Sequence, residues 1–180
     1  MGNIELPKRK TIRLKYYDYS QSGYYFVTIC TGNRRRILGN FVGNDALIVP
    51  SDIGVKVIEC WSNIDVMNEN IKIDIFCLMP NHIHGIIIIE DQVPEKVPIK
   101  EYVFEATERR GRRSLPGIIR DFKSVTTRYY NKMVCEKLKN TLWQRSYYEH
   151  IIRSEKELND IREYMVNNPG KWQEDKYFIK

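Results

Sequence analysis

Apolar and polar positions alternate along one stretch of the chain, residues 71–78, and this period of two predicts a β-strand. One face of that strand is apolar throughout, at Ile71, Ile73, Ile75 and Cys77. Met79-Pro80-Asn81 breaks the pattern, and an isoleucine-rich stretch follows over residues 82–90. Because the connection is so short, the two stretches are expected to pair as an antiparallel hairpin.

An earlier strand and three helices follow from other local signals. Aromatic and β-branched residues run together over residues 24–31, which is typical of a strand. Capping residues or a first-turn proline indicate helix starts at Ser51-Asp52, at Ser114-Leu115-Pro116 and at Ser154 with Glu157. The first helix is expected to end about Asn63 and the third before Pro169. The second is expected to turn an apolar stripe to the core, at Ile118, Ile119, Phe122, Val125, Tyr129 and Met133.

A last strand is predicted over residues 142–152, which completes the order strand, helix, strand, strand, helix, strand, helix. The first six elements match a split βαβ unit. The predicted fold class is therefore α+β, a ferredoxin-like split βαβ sandwich with a central antiparallel sheet and an added C-terminal helix. A length of 180 residues suits one hydrophobic core, so a single domain is expected over residues 1–180, with its core at about 20–172.

Composition narrows the class of protein. The chain is 42% apolar and 29% charged, and its longest apolar run, residues 85–89, is far too short to span a bilayer. The first residues hold no apolar signal core, so a cytoplasmic protein with no membrane partner is expected. The four cysteines stand singly, which indicates free thiols rather than a zinc cluster or a disulfide framework.

Positive charge is concentrated in one short stretch of a chain whose net charge is +6. Residues 108–128 hold seven basic and two acidic side chains. Such clustering favours a phosphate-binding surface over a solvated basic loop, which stays the alternative. The residues expected to contact the phosphates of a nucleic acid are Arg109, Arg110, Arg112, Arg113, Lys123 and Arg128.

Two of the three histidines are His82 and His84, at the start of a predicted strand. Positions i and i+2 of a strand share a face, so both imidazoles can reach one metal ion. The alternative is a hydrogen-bonded pair with a packing role. A second group lies near the C-terminus, where Tyr164 and Asn168 share a helix face. That face lies beside an apolar stripe that should meet the sheet, at Leu158, Ile161 and Met165.

These motifs together resemble a known family. The string 78–87 around His82 and His84 resembles the HUH motif (histidine, hydrophobic residue, histidine) of single-tyrosine transposases, and Tyr164 with Asn168 resembles their nucleophile helix. The stretches 122–124, 142–153 and 164–169 are similar to the REP-associated tyrosine transposase branch. The similarity runs in order from about Tyr24 to Trp172.

The resemblance implies a metal-dependent transposase and endonuclease that cuts and rejoins single-stranded, hairpin-flanked DNA. Tyr164 would attack the scissile phosphate and form a 5′-phosphotyrosine link, while His82, His84 and Asn168 would hold Mg²⁺ or Mn²⁺. Many family members carry glutamine at the position of Asn168. His150 and Glu149 would support the site; a purely structural role for His150 stays open.

Two other functions remain open at this point. One is a non-catalytic or domesticated DNA-binding protein on the same fold, and the other is a relaxase-type or replication-initiator-type HUH nuclease. The oligomeric state is also open between a homodimer and a monomer. We expect each active site to be built within one chain.

Overall fold

The computed structural model describes residues 14, 16–42, 47–91, 113–134 and 141–178. Within them the strands and α-helices, in chain order, are β1 (Gly23–Cys30), β2 (Gly39–Val42), β3 (Leu47–Pro50), α1 (Asp52–Ser62), β4 (Ile71–Met79), β5 (His82–Ile89), α2 (Leu115–Met133), β6 (Tyr148–Ile152) and α3 (Glu155–Asn167). Short 3-10 helices cover Gly32–Arg34 and Pro169–Glu174.

The central sheet has four strands in the order β4-β5-β1-β6, and every pairing is antiparallel. Strands β4 and β5 form the hairpin predicted from their alternating pattern, with Met79 opposite His82. The order β1-α1-β4-β5-α2-β6 is that of a split βαβ unit, and α3 follows it. The predicted α+β, ferredoxin-like fold is confirmed.

The two faces of this sheet carry different layers. Alternate residues of β1, such as Tyr25 and Val27, pack with α1 and α2 in the main hydrophobic core. The residues between them, such as Phe26, face the opposite way, toward a smaller apolar cluster with Leu158 and Met165 of α3. The period of two along each strand therefore decides which side chains meet α3.

Glycine is required at one point of the main core. A Cβ on Gly85 of β5 would lie 2.1 Å from the Trp61 ring of α1, a separation that real Cβ atoms do not show. The ring instead packs directly on the strand backbone, in contact with Phe76 and Phe122. Strand β5 therefore has a glycine among its isoleucines at the point where the large Trp61 ring crosses it.

The third helix begins as its capping residues predict. The Ser154 hydroxyl accepts a hydrogen bond from the Glu157 amide, and the Glu157 carboxylate accepts from the Arg153 amide. The stripe of Leu158 and Met165 is buried against the sheet, as expected. In the part of the chain that the structure describes, none of the helices has the length and apolar character that crossing a membrane requires.

The last strand is shorter than predicted. Residues 142–152 were expected to be extended, but only Tyr148–Ile152 pairs with β1, and the residues before it form a loop with one isolated bridge, Thr31 to Trp143. The Lys123 ammonium donates to the carbonyls of Gln144, Arg145 and Ser146 at 3.0, 3.4 and 3.2 Å. Because that ammonium binds these carbonyls, the loop is held to α2 rather than to the sheet.

The predicted stripe of α2 is partly wrong. Ile118, Ile119 and Phe122 are buried, but Tyr129 and Met133 are 40% and 46% exposed. Two polar side chains at the following i+4 steps are buried in their place, Thr126 and Tyr130. Thr126 accepts a hydrogen bond from the Trp143 indole at 2.8 Å, and Tyr130 accepts one from Arg35 at 2.9 Å. These long-range partners make a polar residue suitable for a buried position.

A small second sheet, the cysteines and one predicted loop complete the comparison with the sequence predictions. The two-stranded sheet of β2 and β3 was not predicted; both strands are only four residues long, and half of their residues are exposed. Cys30, Cys60 and Cys77 are free thiols, as expected, whereas Cys135 lies outside the described residues. The predicted loop between β5 and α2 lies outside them beyond Asp91.

Candidate active site

The histidine pair opens strand β5, and both imidazoles lie on the sheet face that α3 covers. His82 and His84 stand two residues apart in an extended strand, so their side chains project the same way. Their Nε2 atoms are 3.0 Å apart, with ring centroids 4.6 Å apart. Neither residue is more than 1% exposed. The structure therefore brings both imidazoles to one point inside the protein.

Hydrogen bonds on the far side of each ring set its orientation. The Asn81 amide nitrogen donates to the Tyr177 carbonyl at 2.8 Å, which leaves its Oδ1 to face His82 Nδ1, also at 2.8 Å. His82 Nδ1 must therefore carry the proton, and Nε2 presents a lone pair. His84 Nδ1 lies 2.8 Å from the Thr28 hydroxyl, which can donate or accept. Such outer partners are those that orient histidine ligands at metal sites.

Both imidazoles are uncharged at neutral pH. Burial, with help from His84, Lys176 and Arg34, lowers the pKa of His82 to about 2. Burial, with a smaller contribution from Lys176, lowers the pKa of His84 to about 3. A neutral imidazole is the form that binds a metal ion, so the environment keeps both rings in the ligating state.

Helix α3 positions the candidate nucleophile over this pair. Leu158 and Met165 anchor the helix to the sheet, and Tyr164 stands beside them with 42% of its surface exposed. Its hydroxyl lies 3.4 Å from His84 Nε2, and its ring meets those of His84 and Phe26 at centroid distances of 5.4 and 6.4 Å. A tyrosine that is both at the surface and against the histidines can meet a substrate from solvent.

The phenol is protonated in this arrangement. Burial, with smaller contributions from the nearby Asp175, Tyr177 and Cys77, raises the pKa of Tyr164 to about 12. A neutral phenol is a weak nucleophile, so Tyr164 would need positive charge near its hydroxyl in order to attack a substrate.

Asn168 lies in the cleft next to Tyr164. It forms the C-cap of α3, is 3% exposed, and its side-chain nitrogen has no hydrogen-bond partner among the described residues. The cleft has a volume of about 560 Å³, and Asp175 and Lys176 also line it. The structure places Asn168 beside Tyr164, with the side-chain nitrogen unpaired among the described residues.

A carboxylate that the sequence did not single out completes the group. Asp175 follows the 3-10 helix Pro169–Glu174, which folds back over the histidines so that the Trp172 and Tyr177 rings lie against His82 at 5.8 and 4.7 Å. The Asp175 side chain is 1% exposed, and its Oδ2 is 3.7 Å from His82 Nε2. One ligand atom each from His82, His84 and Asp175 lie within 4.8 Å of one another. No periodic pattern marks this irregular segment, so only the folded chain reveals it.

Two cations that were also not predicted stand at the edge of the site. The Lys176 ammonium lies 5.1 Å from the Tyr148 ring and 4.9 Å from the Tyr177 ring. The Arg34 guanidinium lies 5.5 Å from the centroid of the Tyr177 ring, in a turn where Asn33 and Arg34 both have positive φ. Both cations lower the pKa of His82, which shows that their charge reaches the pair.

Two predicted supporting residues lie away from the histidines. Glu149 pairs with Val27, so the two side chains share a face of the sheet. Val27 belongs to the main core, and this face is the one opposite the histidines. His150 is on the same face as the pair, but its Nε2 binds the Glu157 carboxylate at 2.7 Å, at the beginning of α3. The structure therefore places His150 where it can hold α3 to β6.

The predicted DNA-binding residues are spread over several environments. Arg109, Arg110 and Arg112 lie outside the described residues. Arg113 binds Asp121 at 2.6 Å, Lys123 binds the loop carbonyls, and Arg128 is exposed. Arg113 lies just before α2 and the other two lie within it, and α2 covers the face of the sheet opposite the histidines. The described part of this basic stretch does not adjoin the histidine pair.

Two known proteins, one compared by structure and one by sequence, are similar to this chain. A solved structure of a REP-associated tyrosine transposase bound to a REP hairpin is similar, with a TM-score of 0.56 and 18% identity, over 93% of this chain and 77% of that one. A Haemophilus influenzae protein named "Putative REP-associated tyrosine transposase" is 28% identical over 95 residues, 53% of this chain and 47% of its own. The resemblance to REP-associated tyrosine transposases is therefore confirmed as a similarity to proteins of that description.

A second Haemophilus influenzae protein, which is uncharacterized, matches almost end to end. It is 36% identical over 183 residues, which cover 98% of this chain and 97% of that protein. The chain therefore belongs to the same family as this protein. No protein-family model matches the chain.

Proposed function

We propose that this protein is a metal-dependent tyrosine transposase that cuts and rejoins single-stranded DNA beside a hairpin. The observation that carries the proposal is the position of the Tyr164 hydroxyl, 3.4 Å from Nε2 of a buried, neutral histidine pair. DNA binding alone requires neither buried metal-type ligands nor a phenol held against them. The hairpin in the related transposase structure supports the choice of substrate.

The residues fit a divalent ion. The two Nε2 atoms are 3.0 Å apart, close to the separation of about 3.0 Å that neighbouring ligands have at right angles and about 2.1 Å from an octahedral ion. The predicted third ligand, Asn168, contributes a buried amide in the adjoining cleft. An ion such as Mg²⁺ or Mn²⁺ held there would supply positive charge to the phosphate oxygens and to the attacking phenol.

Each side chain of the site then has its own role in the reaction. Tyr164 supplies the oxygen that bonds to phosphorus; the bond between phosphorus and the 3′ oxygen breaks, the phenol loses its proton and the 3′ oxygen gains one. The product is a 5′-phosphotyrosine link, which preserves the bond energy for rejoining without ATP. Phe26 and His84 pack against the Tyr164 ring and hold it for in-line attack.

The same geometry favours a site built within one chain. Tyr164 on α3 and His84 on β5 meet directly, and α3 follows β6 through a single residue, Arg153, and its N-cap, Ser154. An exchange of helices between two protomers is not needed to bring nucleophile and histidines together. A monomer that carries its own complete site is the arrangement we propose.

The test is a covalent capture experiment. Labelled single-stranded hairpin DNA is incubated with the protein and Mn²⁺, then denatured and resolved by size. We expect a denaturation-resistant protein–DNA adduct that is lost in Tyr164→Phe and kept in Tyr129→Phe, which alters an exposed tyrosine on the other side of the sheet. If neither wild type nor Tyr129→Phe ever forms an adduct while all three bind the hairpin, the non-catalytic DNA-binding function is correct instead.

A further inference from the structure

The Asp175 carboxylate occupies an unusual position for a negative charge. Its side chain is 1% exposed, and its Oδ2 has no hydrogen-bond partner among the residues that the structure describes. A buried carboxylate that lacks a partner destabilises the fold, because it loses its contacts with water and gains no attraction in return. His82 Nε2 lies 3.7 Å from Oδ2, and it presents a lone pair rather than a proton. A cation between them would remove both mismatches.

Local bonds hold this carboxylate in place. The Asp175 amide donates to the Trp172 carbonyl at 3.1 Å, and its Oδ1 accepts from the Tyr177 amide at 2.6 Å. Since Oδ1 is used within its own turn, Oδ2 is the oxygen left to point at the imidazoles. A ligand oriented in advance loses little freedom when it binds a metal ion.

We propose that Asp175 is a protein ligand of the divalent ion, together with His82 and His84. Two imidazoles and one carboxylate form a common ligand set for divalent first-row metals, and they leave positions open for phosphate oxygens and water. The inference rests on the metal-dependent function proposed above. It differs from the ligand set expected from the sequence, because the negatively charged Asp175 contributes more binding energy than the neutral amide of Asn168.

The position of Asp175 has a second consequence. The ion would join strand β5 to the segment 169–178, which otherwise contacts the pair through the Trp172 and Tyr177 rings. Metal binding should therefore hold this segment against the site and stabilise the fold. Trp172, with its ring centroid 5.8 Å from that of His82, is a spectroscopic probe at the point of attachment.

The experiment measures metal binding rather than DNA cleavage. Metal-free protein is titrated with Mn²⁺ by calorimetry and by quenching of tryptophan fluorescence, in wild type, Asp175→Asn, Asn168→Ala and Glu174→Gln. Asp175→Asn keeps the shape and the Oδ1 acceptor but removes the charge. Glu174→Gln is the matched control, an exposed carboxylate one residue earlier in the same segment. Far-ultraviolet circular dichroism of the metal-free proteins checks that each is folded.

We expect Asp175→Asn to bind Mn²⁺ about 10-fold to 100-fold more weakly than wild type, with Glu174→Gln unchanged. Asp175→Asn should also lose most of the rise in Tm that Mn²⁺ gives the wild type. If Asp175→Asn binds Mn²⁺ as tightly as Glu174→Gln, the inference is overturned while the proposed function stands, and a loss in Asn168→Ala would then assign the third ligand to the amide. If wild type binds no Mn²⁺, the metal-dependent function itself fails.

Discussion

Acid should destabilise the metal-free protein through the histidine pair. The unfolded chain takes up protons on His82 and His84 at their ordinary pKa of 6.5, whereas burial lowers the pKa values in the folded protein to about 2 and about 3. Well above pH 6.5 the rings are neutral in both states and contribute nothing to the pH dependence. Below pH 6.5 the unfolded state binds more protons, so the free energy of unfolding falls as the pH falls.

The size of the effect follows from these values. At pH 5 each ring costs about 2 kcal/mol, and the pair about 4 kcal/mol, relative to pH 8. This loss of unfolding free energy has the same size for any folded pKa values that lie well below 5. A loss of about 4 kcal/mol is a large fraction of a typical stability of about 5–15 kcal/mol, so it can be measured.

The assay is urea denaturation in EDTA, followed by tryptophan fluorescence at pH 8, 7, 6 and 5. The comparison is a double variant, His82→Gln with His84→Gln, which removes both titrating groups and leaves the carboxylates as they are. We expect the loss of unfolding free energy between pH 8 and pH 5 to be about 4 kcal/mol greater in wild type. Parallel curves for the two proteins would show that the rings protonate in the folded state, and would refute the argument that burial keeps them ready for metal.

Two further predictions concern the basic residues. Lys176→Ala and Arg34→Ala should each weaken binding of hairpin DNA. Each should also reduce the steepness of log K against log salt concentration by about one, because one phosphate contact is lost. Arg120→Ala, which alters an exposed residue of α2, is the control. Lys123→Met should lower the free energy of unfolding by about 1–3 kcal/mol in urea denaturation, because three loop carbonyls lose a charged donor, and should leave that slope unchanged. If Lys123→Met instead has normal stability and a weaker salt dependence of DNA binding, Lys123 is the DNA contact that the sequence predicted.

The sheet and the histidine pair could be predicted because their signals are local. The alternation along β4, the short break at residues 79–81 and the capping residues of α1 and α3 each depend on neighbours a few positions away. The same period of two predicts that His82 and His84 share a face. The α2 face was partly wrong because burial of Thr126 and Tyr130 depends on Trp143 and Arg35, which are distant in sequence.

The sequence alone determined the class of fold, the shared face of the two imidazoles and the tyrosine beside an apolar helix stripe, since all three follow from the periods of strand and helix. Only the tertiary structure decided how deeply the pair is buried, and hence its charge state, because burial depends on which layer covers a face. It also decided that Asp175, Arg34 and Lys176 stand around the site. These residues lie in turns and irregular segments without a repeating pattern, so long-range packing alone brings them to the histidines.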